Sequence, residues 1–127
     1  MKLSEYFEKT RGWGVLATAD ATGKLDVAVY ARPHFTAEDD IAFIMGDRLT
    51  HKNLQSNPNA AYLFMESGEH FVGSRLYLTK TGEEQDEELI KTLERRKYAS
   101  CEEDRGRIRY VVHFHIDKVL PLVGSGD

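Results

Sequence analysis

The segment Leu25-Asp26-Val27-Ala28-Val29-Tyr30-Ala31-Arg32 changes side every residue, and a period of two fits an extended strand rather than a helix. Leu25, Val27, Val29 and Ala31 fall on one face; Asp26, Ala28, Tyr30 and Arg32 fall on the other. A strand has to be paired, so its neighbours must also be strands. The turn Asp20-Ala21-Thr22-Gly23-Lys24, with Gly23 available for positive φ, joins it to a strand over 13–19 as a hairpin. Further strands are predicted at 41–46, 60–66, 70–80 and 108–116, with Pro33 either ending the clean alternation of the second strand or marking a bulge or an edge. Gly73 inside the fifth strand marks a bend or a close approach. Six strands with few helices predict a small β-barrel with peripheral helices, built as one domain over 1–127.

Three helices fit between these strands. Ser4 can cap a short one running to about Arg11, with Tyr6 and Phe7 on its apolar face and Gly12 ending it. A second covers 50–57 and stops at Asn57-Pro58. The third is predicted over 83–98. Thr81-Gly82-Glu83-Glu84 matches a capping box ahead of it, and Leu89, Ile90, Leu93 and the Lys97 stem form its buried stripe. Its acidic first half and basic second half complement the helix dipole, with Glu87 and Lys91 spaced to pair.

With 127 residues and a net charge of −4, the chain lacks the basic balance of a general nucleic-acid binder. No apolar run approaches the ~20 residues of a membrane span, and the first residues lack an apolar signal region, so a cytoplasmic protein is expected. The one cysteine, Cys101, excludes an intramolecular disulfide and a multi-cysteine zinc site. It stands beside Glu102, Glu103 and Asp104, whose charges disfavour a thiolate. No G-x-S-x-G, Walker loop or G-x-G-x-x-G occurs, so nucleophilic hydrolysis and nucleotide hydrolysis have no support. His113 and His115 share a strand face and form either half a metal site or, more simply, a solvent-facing polar stripe.

The stretch from Asp47 to Pro58 carries the chemistry. Arg48, His51 and Lys52 gather at a helix start, where amides are unpaired and the dipole is positive, which suits a phosphate. Arg48 offers a planar fork, Thr50 a hydroxyl and Lys52 a point charge, although Thr50 could be a plain N-cap and the cations plain surface charge.

The words Gly-Val-Leu-Ala-Thr (14–18), Gly-Lys-Leu-Asp-Val-Ala-Val-Tyr (23–30), Ile-Ala-Phe-Ile-Met (41–45) and Arg-Leu-Thr-His-Lys-Asn-Leu-Gln-Ser-Asn-Pro (48–58) resemble the pyridoxamine 5′-phosphate oxidase-related family of FMN-binding split barrels. The likeness covers roughly residues 3 to 80, and Asn53-Leu54-x-x-Asn57-Pro58 is its most specific part. It implies a homodimer of six-stranded split barrels with FMN at the subunit interface. Carried over, Arg48, Leu49, Thr50, His51 and Lys52 would hold the phosphate, and Ala28, Val29, Tyr30, Ile44 and Met45 would line the ribityl chain and isoalloxazine. Asn53 would fix the turn. Thr50 stands where many members have a lysine, so Arg48 and Lys52 would share that role. The resemblance does not reach the arginine-rich C-terminal substrate segment of the full oxidase, and that reaction is not expected. The implied function is a small FMN-dependent oxidoreductase or electron-transfer protein. The alternatives are a flavin-free split barrel that holds haem, through His34, His113 or His115, or another ligand, or that acts only as a dimeric interaction module, and a deazaflavin-dependent reductase.

Overall fold

Alternation does set much of the chain as strands. A computed structural model describes residues 2–94 and 108–124. Within it the elements run α1 (Leu3–Lys9), β1 (Gly12–Ala19), β2 (Leu25–Tyr30), β3 (His34–Ala37), β4 (Asp40–Gly46), α2 (Leu49–Ser56), β5 (Asn59–Glu66), β6 (Gly73–Glu84), α3 (Glu87–Glu94) and β7 (Arg109–Pro121). One antiparallel sheet holds seven strands among the described residues, in the order β2-β1-β5-β6-β7-β4-β3.

The seventh strand, beyond the six expected, is β3. Pro33 precedes it rather than ending all pairing, and the four-residue strand that follows pairs with β4 through His34↔Ala42, Phe35↔Ile41 and Ala37↔Asp40. An edge strand tolerates a proline at its start because no ladder bond is lost there.

Three boundaries also moved, and the first is the start of the fifth predicted strand, which begins as β6 at Gly73 rather than at residue 70. Thr81-Gly82-Glu83-Glu84 is not a capping box; these residues continue β6, paired to β7 through Gly82↔His113 and Glu84↔Val111. The cap falls on Asp86, whose Oδ1 accepts from the Leu89 amide at 3.1 Å. The last strand does not end at Ile116 but stays paired to β6 as far as Pro121. A long cross-strand ladder outweighed the local capping signal. The expectations for Arg95, Arg96, Lys97 and Cys101 lie outside the described residues.

Helix α1 starts at Leu3 with Lys2 in the cap position, so Ser4 lies inside it, and Gly12 opens β1. Its end is held by Arg32, whose guanidinium Nη1 donates to the Phe7 and Thr10 carbonyls at 3.0 and 2.8 Å. Helix α3 lies on the outer face of β4 and β7. Ile90 and Leu93 pack there with Ala42 and Val111, and Leu89 and Ile44 flank them. Arg109 locks that contact by donating to Glu87 and Glu94 at 3.2 and 3.1 Å. Glu87 therefore pairs with β7 and not with Lys91, which instead lies 4.0 Å from Glu88.

The main core is aromatic. Phe7, Phe43, Tyr62, Phe64 and Phe114 are buried together, with ring centroids 4.9 to 6.4 Å apart in tilted or edge-on pairs. Tyr30 on β2 meets Phe43 on β4 at 5.8 Å, so the sheet curls until its two halves face one another. Helix α2 contacts β1, β2 and β4 and covers the gap between them.

β2 turns its faces unexpectedly. Asp26, Ala28 and Tyr30 lie on its half-buried side, whereas Leu25, Val27 and Val29 are 82%, 66% and 75% exposed. Through the register Val29↔Val15 and Val27↔Ala17, this apolar surface continues across β1, where Trp13 is 50% exposed. The chain thus presents an uncovered apolar sheet face.

Candidate functional site at the start of α2

The Asn-Leu-x-x-Asn-Pro word anchors α2. Asn53 is buried and donates through Nδ2 to the Thr18 hydroxyl on β1 at 3.1 Å. Leu54 is buried in the core. Asn57 donates to the Asp20 carbonyl in the β1–β2 turn at 3.3 Å and accepts from the Asn59 amide at 3.0 Å. Asn57 takes extended geometry, φ −145° and ψ 113°, ahead of Pro58. Asn53 fixes the helix to the barrel, in line with its expected role.

The start of α2 then points into a defined place. Arg48 occupies the N-cap in extended geometry, φ −126° and ψ −174°, and no side chain caps the first turn. Those amides are available to an anion, and no acidic residue lies in the first turn. Arg48, Leu49 and Lys52 are exposed, while Thr50 and His51 are buried. Thr50 is therefore not the N-cap, and its side chain packs inward.

His51 is tied into the protein. Its ring stacks on Tyr110 of β7 with centroids 3.8 Å apart and planes 13° apart. Its Nε2 meets Glu83 Oε2 at 2.9 Å, and its Nδ1 lies 3.6 Å from the Asp47 carboxylate. Glu83 also accepts from Gln55 at 2.8 Å and from Lys80 at 2.6 Å. Partial burial pushes the Glu83 carboxyl up, but the bonds from Lys80, Gln55 and His51 outweigh it and hold the group at about 2. Glu83, Gln55, Lys80 and Tyr110 escaped the sequence reading because they reach the site from β6, β7 and the far side of α2. The one local signal, Glu83 beside a helix start, pointed to the wrong helix.

The remaining expected residues divide by depth. Ala28, Val29 and Tyr30 sit on β2, which α2 touches. Met45 is 2% exposed inside the main core, and Ile44 packs against the cluster beneath α3. His113 and His115 form a stripe whose imidazoles are engaged, His113 with Glu84 at 2.7 Å and His115 with Asp40 at 3.0 Å. No group of three or more metal-ligating side chains occurs among the described residues. No described helix is long and apolar enough to cross a membrane.

This fold is the split barrel of pyridoxamine 5′-phosphate oxidase-like proteins. An FMN-binding protein from Syntrophomonas wolfei subsp. wolfei superposes with a TM-score of 0.77 at 19% identity, over 98% of this chain and 86% of that one. An F420 reductase superposes at 0.72 and 14% identity, over 94% and 98% of the two chains. A protein from Lactobacillus delbrueckii, described as a pyridoxamine 5′-phosphate oxidase of assigned rather than tested activity, superposes at 0.66 and 18% identity, over 92% and 88%. No family model and no curated protein sequence matches the chain.

Proposed function

We propose that this chain is a homodimeric FMN-binding flavoprotein whose phosphate site is the first turn of α2. The observation that carries the reading is the uncapped helix start with Arg48 in the cap position and Lys52 one turn on. Free amides, the positive end of the helix dipole and two cations suit a phosphate dianion. Asn53 and Asn57 hold that turn rigidly, and Glu83 keeps His51 against Tyr110 beneath it. Of the five residues expected at the phosphate, Arg48 and Lys52 supply charge and Leu49 and its neighbours supply amides. Thr50 and His51 support the turn from below.

The uncovered face of β1 and β2 supports the second part of the reading. Leu25, Val27, Val29 and Trp13 would be covered by a second copy, with the isoalloxazine against the backbone of Ala28–Tyr30. When bound, the flavin supplies the hydride or electron transfer, and the protein supplies position and exclusion of water. A small oxidoreductase or electron-transfer protein follows. A deazaflavin is the second reading, supported by the likeness to an F420 reductase. The haem reading is the weaker one, since His113 and His115 are both bonded to carboxylates.

Absorbance and mass spectrometry of the purified protein test this directly. Yellow protein with FMN mass is the expected result. Arg48→Ala with Lys52→Ala should weaken FMN by several kcal/mol in sum, at about 1.5–3 kcal/mol per charge-assisted bond. Unchanged FMN affinity in that double variant would sink the assignment.

A further inference from the structure

His51 is a buried titratable group that uses only one of its two ring nitrogens. Its side chain is 8% exposed. It is the third residue of α2, where side chains lean back toward the helix N-terminus. Nε2 meets Glu83 Oε2 at 2.9 Å. The Glu83 carboxyl sits at about 2, so it is ionised at any working pH and can only accept. The proton of that bond therefore belongs to His51 Nε2. Gln55 Nε2 also stands 3.1 Å from His51 Nε2, but its two hydrogens are taken by Glu83 Oε1 at 2.8 Å and the His51 carbonyl at 3.1 Å.

Nδ1 opens away from Glu83 and makes no hydrogen bond among the described residues. It lies 3.6 Å from Asp47 Oδ1, outside hydrogen-bond distance. Asp47 is exposed and directly precedes the cap residue Arg48, so Nδ1 is directed at the open end of α2.

The charged groups around this imidazole come from several elements. Asp47 lies before α2, Arg48 and Lys52 lie on it, and Lys80 and Glu83 lie on β6. Tyr110 on β7 offers the face of its ring, with centroids 3.8 Å apart. Three cations against two carboxylates leave one positive charge in excess. A phosphate dianion turns that into one negative charge in excess, and a proton on Nδ1 cancels it. The imidazolium so formed lies beside Glu83 and over the Tyr110 face, which attracts a cation.

We propose, on the strength of the phosphate reading of α2, that His51 is a proton-linked positioning residue: binding a phosphate puts a proton on Nδ1, and the imidazolium becomes a third positive charge beneath the anion, after Arg48 and Lys52. The proton is taken from solvent and returns to it when the anion leaves, and no bond of the ligand changes. Affinity for a phosphate ester therefore rises as pH falls, because the complex holds one more proton than its free parts.

The test uses the full chain, isotope-labelled in its amides and histidine rings, with FMN and inorganic phosphate each titrated at constant ionic strength near pH 8. A phosphate monoester, with a second pKa of about 6, is already a dianion there. Both ligands should move the Leu49–His51 amides and shift the His51 Nδ1 resonance toward that of a protonated ring nitrogen. Riboflavin, which lacks the phosphate, should leave Nδ1 unchanged. Wild-type affinity for FMN should fall at least threefold from pH 7 to pH 9, and that of His51→Gln should stay level. Moved amides with an unmoved Nδ1, or a His51→Gln profile as steep as the wild type, would overturn the proton-linked role and leave the phosphate site standing. Amides and imidazole both unmoved by FMN and by phosphate would overturn the phosphate reading itself, and the role of His51 with it. The ring nitrogen is read in the wild-type protein, so the outcome is decided even where His51→Gln fails to fold.

Discussion

Asn53 Nδ2 donates to Thr18 Oγ at 3.1 Å, a buried bond that ties α2 to the first strand of the barrel. Removing either partner leaves the other buried without a bond. Asn53→Ala should therefore cost about 1–3 kcal/mol in urea unfolding. The double variant Asn53→Leu with Thr18→Val should recover part of that loss, since two apolar groups leave nothing unsatisfied. Additive losses in that double variant would contradict the direct coupling.

Acid should act through Glu83. Its carboxyl sits at about 2 in the folded protein against an ordinary value near 4.5. The folded state thus binds fewer protons than the unfolded one between those values. The stabilisation from Glu83 is complete above about pH 4.5 and is lost as pH falls toward 2. Glu83→Gln should flatten this acid limb in a pH series of thermal melts, while leaving the shape near pH 7 unchanged.

Close approach of Tyr62 to Gly14 makes a third test. A Cβ at position 14 would lie 2.0 Å from the Tyr62 hydroxyl, which itself donates to the Tyr30 or Ala31 carbonyl at 3.1 or 3.2 Å. Tyr62 is fully buried and cannot swing away. Gly14→Ala should cost about 1–3 kcal/mol, as overpacking in a filled core does. Gly23→Ala would instead meet no neighbour but would strain a φ of 89°. Comparing the two by thermal unfolding separates packing from backbone strain.

The apolar face of β2 gives a test of assembly. Val27→Lys with Val29→Lys places two charges on a surface already 66% and 75% exposed in one protomer. Light scattering should show a dimer become a monomer, with the far-ultraviolet circular dichroism unchanged. A wild-type chain that is monomeric at micromolar concentration with FMN still bound would contradict the interface site.

Much of the barrel was readable because strand period is a local property. The hairpin at Gly23, the close approach at Gly73 and the extended Asn57 before Pro58 all follow from residues within a few positions of one another. The capping box at Thr81–Glu84 failed because its residues had a stronger claim on them: β7 runs alongside and completes their ladder. β3 was not counted as a strand because Pro33 breaks the alternation, although a proline just ahead of an edge strand, one of the readings it allowed, costs no ladder bond. At the site, the sequence marked Arg48 and Lys52 because charge at a helix start is visible in order along the chain.

The sequence by itself determined an antiparallel barrel with a helix after its third predicted strand, and a cationic turn at the start of that helix. Periodicity and turn chemistry act between near neighbours, so one dimension was enough. Only the tertiary structure decided which side of β2 faces outward, that Met45 is sealed in the core, and that His51 is held by Glu83 and Tyr110. Those choices depend on which strands lie side by side, and the ladder that brings residues 83 and 110 to residue 51 is set by the whole sheet rather than by any one stretch of it.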